Sequence, residues 1–305
     1  MGRIRTVLGD IFPGKFGSAL VHEHILVDFV GADKFSKERY DAKEVFTVML
    51  PYLAEIRELG VTGFVECTPA YMARDAQLLA DLSEAAGIHV LTNTGLYKEP
   101  YLPKHAFEYS ADQLAELWID EIKKGIEGTS VKAGFIKIAV NPGQIVSIQQ
   151  KIVRAAARCS LSTGAAIACH TASGTAAMHL LRILCEEEAD AGRLIVVHSD
   201  AEEDVEYHFQ TARQGAWVEY DGLRPETAEK TLNLLRLMVD KGFEDQLLLS
   251  QDAGWYNVGE PKGGNIQGYE YLVKGFVPLM QQKGFSQELV NKILVKNPAR
   301  AFEMP

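Results

Sequence analysis

Residues 62–95, TGFVECTPAYMARDAQLLADLSEAAGIHVLTNTG, read as one strand–helix–strand unit. The run TGFVECT (62–68) is short, apolar and bounded by a proline, as a buried strand is. RDAQLLADLSEAA (74–86) repeats its apolar positions at spacings of three and four, which predicts an amphipathic helix. Gly87 stands where such a helix needs a left-handed residue to stop it, and HVLTNTG (89–95) is a second strand.

The pattern extends in both directions. Further strands are expected at ALVHEHI (19–25), GFIKIAV (134–140), AAIACH (165–170), LIVVHS (194–199), AWVEYD (216–221) and QLLLSQD (246–252). Helices are expected at 42–59, 111–126 and 225–242, with Gly60, Gly164, Gly192 and Gly215 as further stop signals. Eight strands alternating with helices predict a (β/α)8 TIM barrel formed as a single domain over residues 1–305. A doubly wound open sheet is the other fold with this alternation, but no GxGxxG follows the first strand to make a dinucleotide crevice.

Composition narrows the function. The chain has 305 residues, 47% hydrophobic and 24% charged, with a formal net charge of -10. That charge argues against a nucleic-acid binder, which needs a basic face for phosphates. No apolar run approaches a membrane span, and the opening MGRIRTVLGDIFPGKFG lacks a leader's apolar core, so a cytoplasmic protein is expected. Cys67, Cys159, Cys169 and Cys185 show no CxxC pairing and are expected to be free, buried thiols.

In a barrel of this type the chemistry lies at the carboxyl ends of the strands. His22 and His24, at i and i+2 of the first strand, share a face and converge, while Glu23 between them points away. Two imidazoles on one wall are half of a metal site, or two satisfied polar residues near a strand end. Strand ends also carry His170, His198 and Asp252, whereas His89, His105, His179 and His208 fall elsewhere and are expected not to be ligands. Lys137 sits within the fourth strand, where an ammonium is costly to bury. It is either paired with a carboxylate or neutral and carboxylated by carbon dioxide into an anionic bridge.

Taken together, HxH, the fourth-strand lysine, the fifth- and sixth-strand histidines and the eighth-strand aspartate resemble the phosphotriesterase family of the amidohydrolase superfamily. The likeness runs from IRTVLGDI (4–11) and LVHEHI (20–25) through GFIKIAV to KNPARAFE (296–303). It implies a distorted, amidohydrolase-type barrel with two divalent ions, zinc or else manganese, cobalt or iron. On this resemblance His22, His24 and Asp252 hold the more buried ion and His170 and His198 the more exposed one. Lys137, carboxylated at N6, and a hydroxide bridge them, and Asp252 passes the hydroxide proton to the leaving group. A homodimer is also implied.

The same centre could hydrolyse a lactone, a carboxylic ester or a phosphotriester, so the loops decide. Tyr97 matches a tyrosine that follows the third strand in the lactonase-like branch of the family. Lys98, Arg224, Tyr256 and Lys262 lie in loops expected at the mouth, and their basic groups suggest a small anionic substrate. The expected activity is therefore opening of a sugar lactone carrying phosphate or carboxylate. Organophosphate triester or carboxylic ester hydrolysis is the alternative, and a non-catalytic binding protein is the remote one.

Overall fold

The first strand, Ser18–Val27, is buried along nearly its whole length and pairs in parallel with Val61–Glu66, which pairs in turn with the third strand. That third strand is broken at Thr92 into His89–Leu91 and Asn93–Thr94. From its second half the parallel order continues through Phe135–Ala139, Ile167–His170, Leu194–Val197, Trp217–Tyr220 and Leu247–Leu249. The last strand returns to the first: Ser250 Oγ accepts from His22 N at 2.9 Å, and Asp252 N donates to His22 O at 3.0 Å. The circle of eight is the (β/α)8 order expected from the sequence. These positions come from a computed structural model that describes residues 2–305.

Local chemistry explains the elements. The helix Ala76–Ala86 begins where Asp75 accepts from Leu78 N, buries Leu78, Leu79 and Leu82, and stops at Gly87 with φ 65°. Gly164 ends Ser147–Thr163 in the same left-handed way, with φ 73°. Gly192 does not serve as a stop signal. The helix before it, Gly174–Glu186, ends earlier, with Glu188 at φ 58°, and Gly192 lies in a tight turn capped by Asp190.

Two strand features were not foreseen, nor were the short helix Lys104–Glu108 and the closing helices Val277–Gln282, Gln287–Asn291 and Asn297–Phe302. An antiparallel hairpin, Ile4–Thr6 with Gly9–Ile11, precedes the barrel. A further strand, Ala253–Asn257, continues the eighth alongside the first. Inside the barrel, Ile4, Phe16, Val65, Phe135, Ile195 and Phe302 form an apolar plug at the amino-terminal end. Among the described residues no helix is long and apolar enough to cross a membrane. All four cysteines are free, but Cys185 is exposed rather than buried.

Candidate metal centre

Side chains alternate along a strand, so inward-facing residues recur every second position. In four strands the rule carries straight up from the plug: Phe135 leads to Lys137, Ala168 to His170, Trp217 to Glu219 and Asp221, and Leu248 to Ser250 and Asp252. In two strands it is broken. Ala19 and Val21 face the plug, yet His22 and His24 face the cavity, because the pairing with the second strand slips between Leu20 and Glu23. Val197 faces the plug and its neighbour His198 the cavity, because His198 adopts φ 60°, ψ 35°.

His22, His24, Lys137, His170, His198 and Asp252 all line one cavity. The His22 ring lies 5.4 Å from that of His24 and 5.1 Å from that of His198, and His198 lies 4.5 Å from His170. Each ring is oriented through Nδ1: His22 by Glu219 at 2.7 Å, His24 by Thr68 Oγ1 at 2.8 Å, and His198 by Asp221 at 2.7 Å. An Nδ1–H engaged in this way leaves the Nε2 lone pair for a cation. His170 meets Tyr97 OH at 3.0 Å on Nδ1 and Lys98 Nζ at 2.9 Å on Nε2.

The donor set fits a divalent ion. One ligand atom each from His22, His24 and Asp252 lies within 4.8 Å of the others, and Asp252 Oδ1 is buried with no hydrogen-bond partner, 3.1 Å from His24 Nε2. An unpartnered buried carboxylate oxygen facing an imidazole is costly unless a cation completes it. Burial, reinforced by the Lys137 charge, holds His22 down to about 3, and burial likewise lowers His24 and His170, so these rings are neutral and able to ligate. At His198 burial acts downward, but the charge and hydrogen bond of Asp221 win and raise it. Lys137 is buried, its Nζ is 3.4 Å from His22 Nε2, and among the described residues no acidic side chain pairs with it. The carboxylate-paired reading of this lysine thus finds no partner.

Glu23 points away from the cavity, as its alternation requires. Its buried carboxyl, pushed up to about 8 by burial, accepts from Ser250 Oγ, Gln251 N and Ala253 N, and so fixes the backbone on either side of Asp252.

The expected substrate contacts divide. Tyr97 and Lys98 reach His170. Arg224 aims its guanidinium at the main-chain carbonyls of Leu223, Gln251 and Asp252 rather than into the cavity. Tyr256 is on the far side of its strand, donating to Glu44 Oε1 at 3.0 Å, and Lys262 is on an exposed turn. The segment carrying them is not a free flap: Gly254 and Gln267 exchange two main-chain hydrogen bonds of 3.0 Å. Trp255, on the inner side, packs its ring 4.1 Å from His24 and donates to Asp252 O. Sequence reasoning missed the cavity roles of Phe29 and Met72 and the orienting roles of Glu219, Asp221 and Thr68. Only the i, i+2 spacing of Glu219 and Asp221 inside an apolar strand could have signalled them. Among the described residues the potential metal-ligand groups are His22, His24 and Asp252, and His22, His198 and Asp221; the expected ligand His170 is in neither, nor are His89, His105, His179 and His208.

Fold and site together define a barrel enzyme with metal-binding donors at the carboxyl ends of its strands. A sequence profile described as Phosphotriesterase family matches residues 2–302. The chain belongs to that family, and it is a metal-dependent hydrolase. It is 31% identical over 292 residues to the Phosphotriesterase homology protein of Escherichia coli, covering 94% of this chain and 98% of that one. It is 28% identical to the Aryldialkylphosphatase of Saccharolobus solfataricus, covering 98% and 99%. Identity to the N-acetyltaurine hydrolase of Bos taurus is 26%, covering 97% of each. Among solved structures, a triple mutant of organophosphorus hydrolase from Deinococcus radiodurans superposes with a TM-score of 0.89 at 28% identity, covering 98% of this chain and 97% of that one.

Proposed function

We propose that this hydrolase opens the ring ester of a small lactone bearing a negative charge, such as a phosphorylated or carboxylated sugar lactone. The observation that carries the reading is Lys98: apart from Lys137 it is the one cationic side chain among the described residues in hydrogen-bonding contact with the site's histidines. Its companion Tyr97 meets the same ring. Of the three basic loop residues expected from the sequence, only Lys98 supports an anion contact.

His22, His24 and Asp252 would hold one divalent ion, His170 and His198 the other, and Lys137, carboxylated at N6, would bridge the two. When bound, such ions acidify a water molecule and polarise a carbonyl oxygen, and zinc, manganese, cobalt and iron all suit these donors. Asp252 takes the proton of the attacking water and returns it to the ring oxygen as the ester bond breaks. With an ion at His170 Nε2 the Lys98 ammonium would be released from that nitrogen to anchor the charged substituent, and the rings of Trp255 and Phe29, stacked 5.7 Å apart, shield the mouth.

A panel tests this on protein of assayed metal content: sugar lactones with and without phosphate, an aryl dialkyl phosphotriester, and N-acetyltaurine. Anionic lactones are expected to turn over fastest. Lys98→Ala should raise KM for the charged lactones about tenfold, as loss of one charge-assisted contact of roughly 1.4 kcal/mol predicts, and leave the uncharged ones unchanged. Turnover of the triester or the amide alone would overturn the lactone reading, and absence of both metal and turnover would leave a binding protein.

A further inference from the structure

We propose that Glu219 and Asp221 of the seventh strand are a positioning pair with unequal reach: Asp221 orients one histidine of each metal-binding set, and Glu219 orients only His22. Neither residue lines the cavity, and the pair lies behind its wall. At i and i+2 the two share a face of the strand, and both are almost completely buried.

Asp221 has a partner on each side. Its Oδ2 is 3.0 Å from His22 Nδ1 and accepts from His198 N at 3.2 Å, while its Oδ1 is 2.7 Å from His198 Nδ1. The first strand and the left-handed end of the sixth are thus tied through one carboxylate. Glu219 Oε1 meets His22 Nδ1 at 2.7 Å and, among the described residues, hydrogen-bonds no other ring. The clasp is reciprocal, because Asp200, two residues beyond His198, accepts from Asp221 N at 3.3 Å and from Gly222 N at 2.9 Å. Gly222 leaves room for this, since a Cβ there would fall 2.5 Å from Asp200 Oδ2.

The geometry gives each residue a distinct consequence. A ligating imidazole whose Nδ1–H loses its acceptor is free to rotate or to change tautomer, and such losses typically weaken metal binding about 10- to 100-fold. Loss of Asp221 removes the acceptor of His198 Nδ1 outright and one of the two carboxylate oxygens beside His22 Nδ1, so both ions are affected, the His198 ion more. Loss of Glu219 affects the His22 ion alone. A glutamine at 219 keeps an oxygen to accept from His22.

This inference rests on the reading of the cavity as a two-ion site, not on the identity of the substrate. The test is calorimetric titration of the metal-free full chain with zinc. Wild-type protein should take up two equivalents. Asp221→Ala should weaken one equivalent by about 10- to 100-fold and the other by less, because Glu219 still accepts from His22, whereas Glu219→Ala should weaken only one, and Glu219→Gln should restore wild-type binding. If Asp221→Ala does not fold, Asp221→Asn decides, since the two rings face different oxygens of Asp221 and in asparagine one of these becomes an NH2 donor, so at least one equivalent must weaken. Unchanged zinc affinity in a folded Asp221 variant, equal losses in the two alanine variants, or failure of glutamine to rescue would each overturn the proposal. Wild-type protein binding fewer than two equivalents would overturn the metal reading itself, whereas two bound equivalents with no lactone turnover would overturn only the proposed substrate.

Discussion

The interior of the barrel has two ends, and the same strands build both. At the amino-terminal end Phe16, Phe135 and Phe302 lie in a buried apolar plug, with Phe135 and Phe302 packed edge to face at 5.6 Å. At the carboxyl end the strands present four histidines, a lysine and an aspartate around a cavity. In the fourth strand two residues separate the roles, Phe135 below and Lys137 above on one face. Apolar burial at the plug is non-directional and stabilises any tight packing. Buried polar groups at the mouth cost free energy unless each finds its partner. The plug can therefore carry stability that the mouth withholds, and the mouth can hold reactive groups that a self-sufficient core would exclude.

Four substitutions probe this division, in descending order of effect. Asp252→Asn removes the carboxylate at the mouth, and turnover of the best substrate should fall roughly 10²- to 10⁴-fold. Its urea midpoint should stay close to that of the metal-free wild type, and a collapse of folding would show that the mouth carries stability after all. Phe135→Ala opens the plug and should cost about 3–5 kcal/mol in urea denaturation. Zinc stoichiometry should persist in the folded fraction, and loss of metal without loss of stability would break the comparison from the other side.

Glu66→Gln addresses a buried acid near the mouth. Its Oε1 accepts from Ile25 N and Thr68 N, its Oε2 has no partner, and burial raises its pKa to about 7 from an ordinary 4.5. Between those values the folded chain keeps a proton that the unfolded chain has released, so this group's contribution to stability is full below 4.5 and is lost as pH rises through 7. The loss is at most about 1.4 kcal/mol per pH unit. Urea denaturation across that window should show wild type losing stability relative to Glu66→Gln as pH rises, and parallel curves would mean the acid is ionised in the fold. Last, Lys262→Ala, on an exposed turn, should change stability by less than about 0.5 kcal/mol and turnover by less than about twofold. A larger fall in turnover of a charged lactone would restore Lys262 to the mouth.

The sequence alone was sufficient for the eight strands and the helices between them, because hydrophobic period and glycine stops are local properties. His22 and His24 could be paired by spacing, since i and i+2 share a face whichever face that is. Which face it is came only from the slip after Leu20, and for His198 from a left-handed backbone. Neither can be read from residue type. The fate of the loop residues was also a tertiary matter: Arg224 found carbonyls of the eighth strand, Tyr256 found Glu44, and Lys98 alone of the three expected cations reached a histidine. Glu219 and Asp221 met His22 across 197 and 199 positions of chain; their i, i+2 spacing marks a shared face, but nothing local names the partner. Periodicity fixes which residues can face inward, whereas long-range pairing and the cost of an unpartnered buried polar group decide which of them meet.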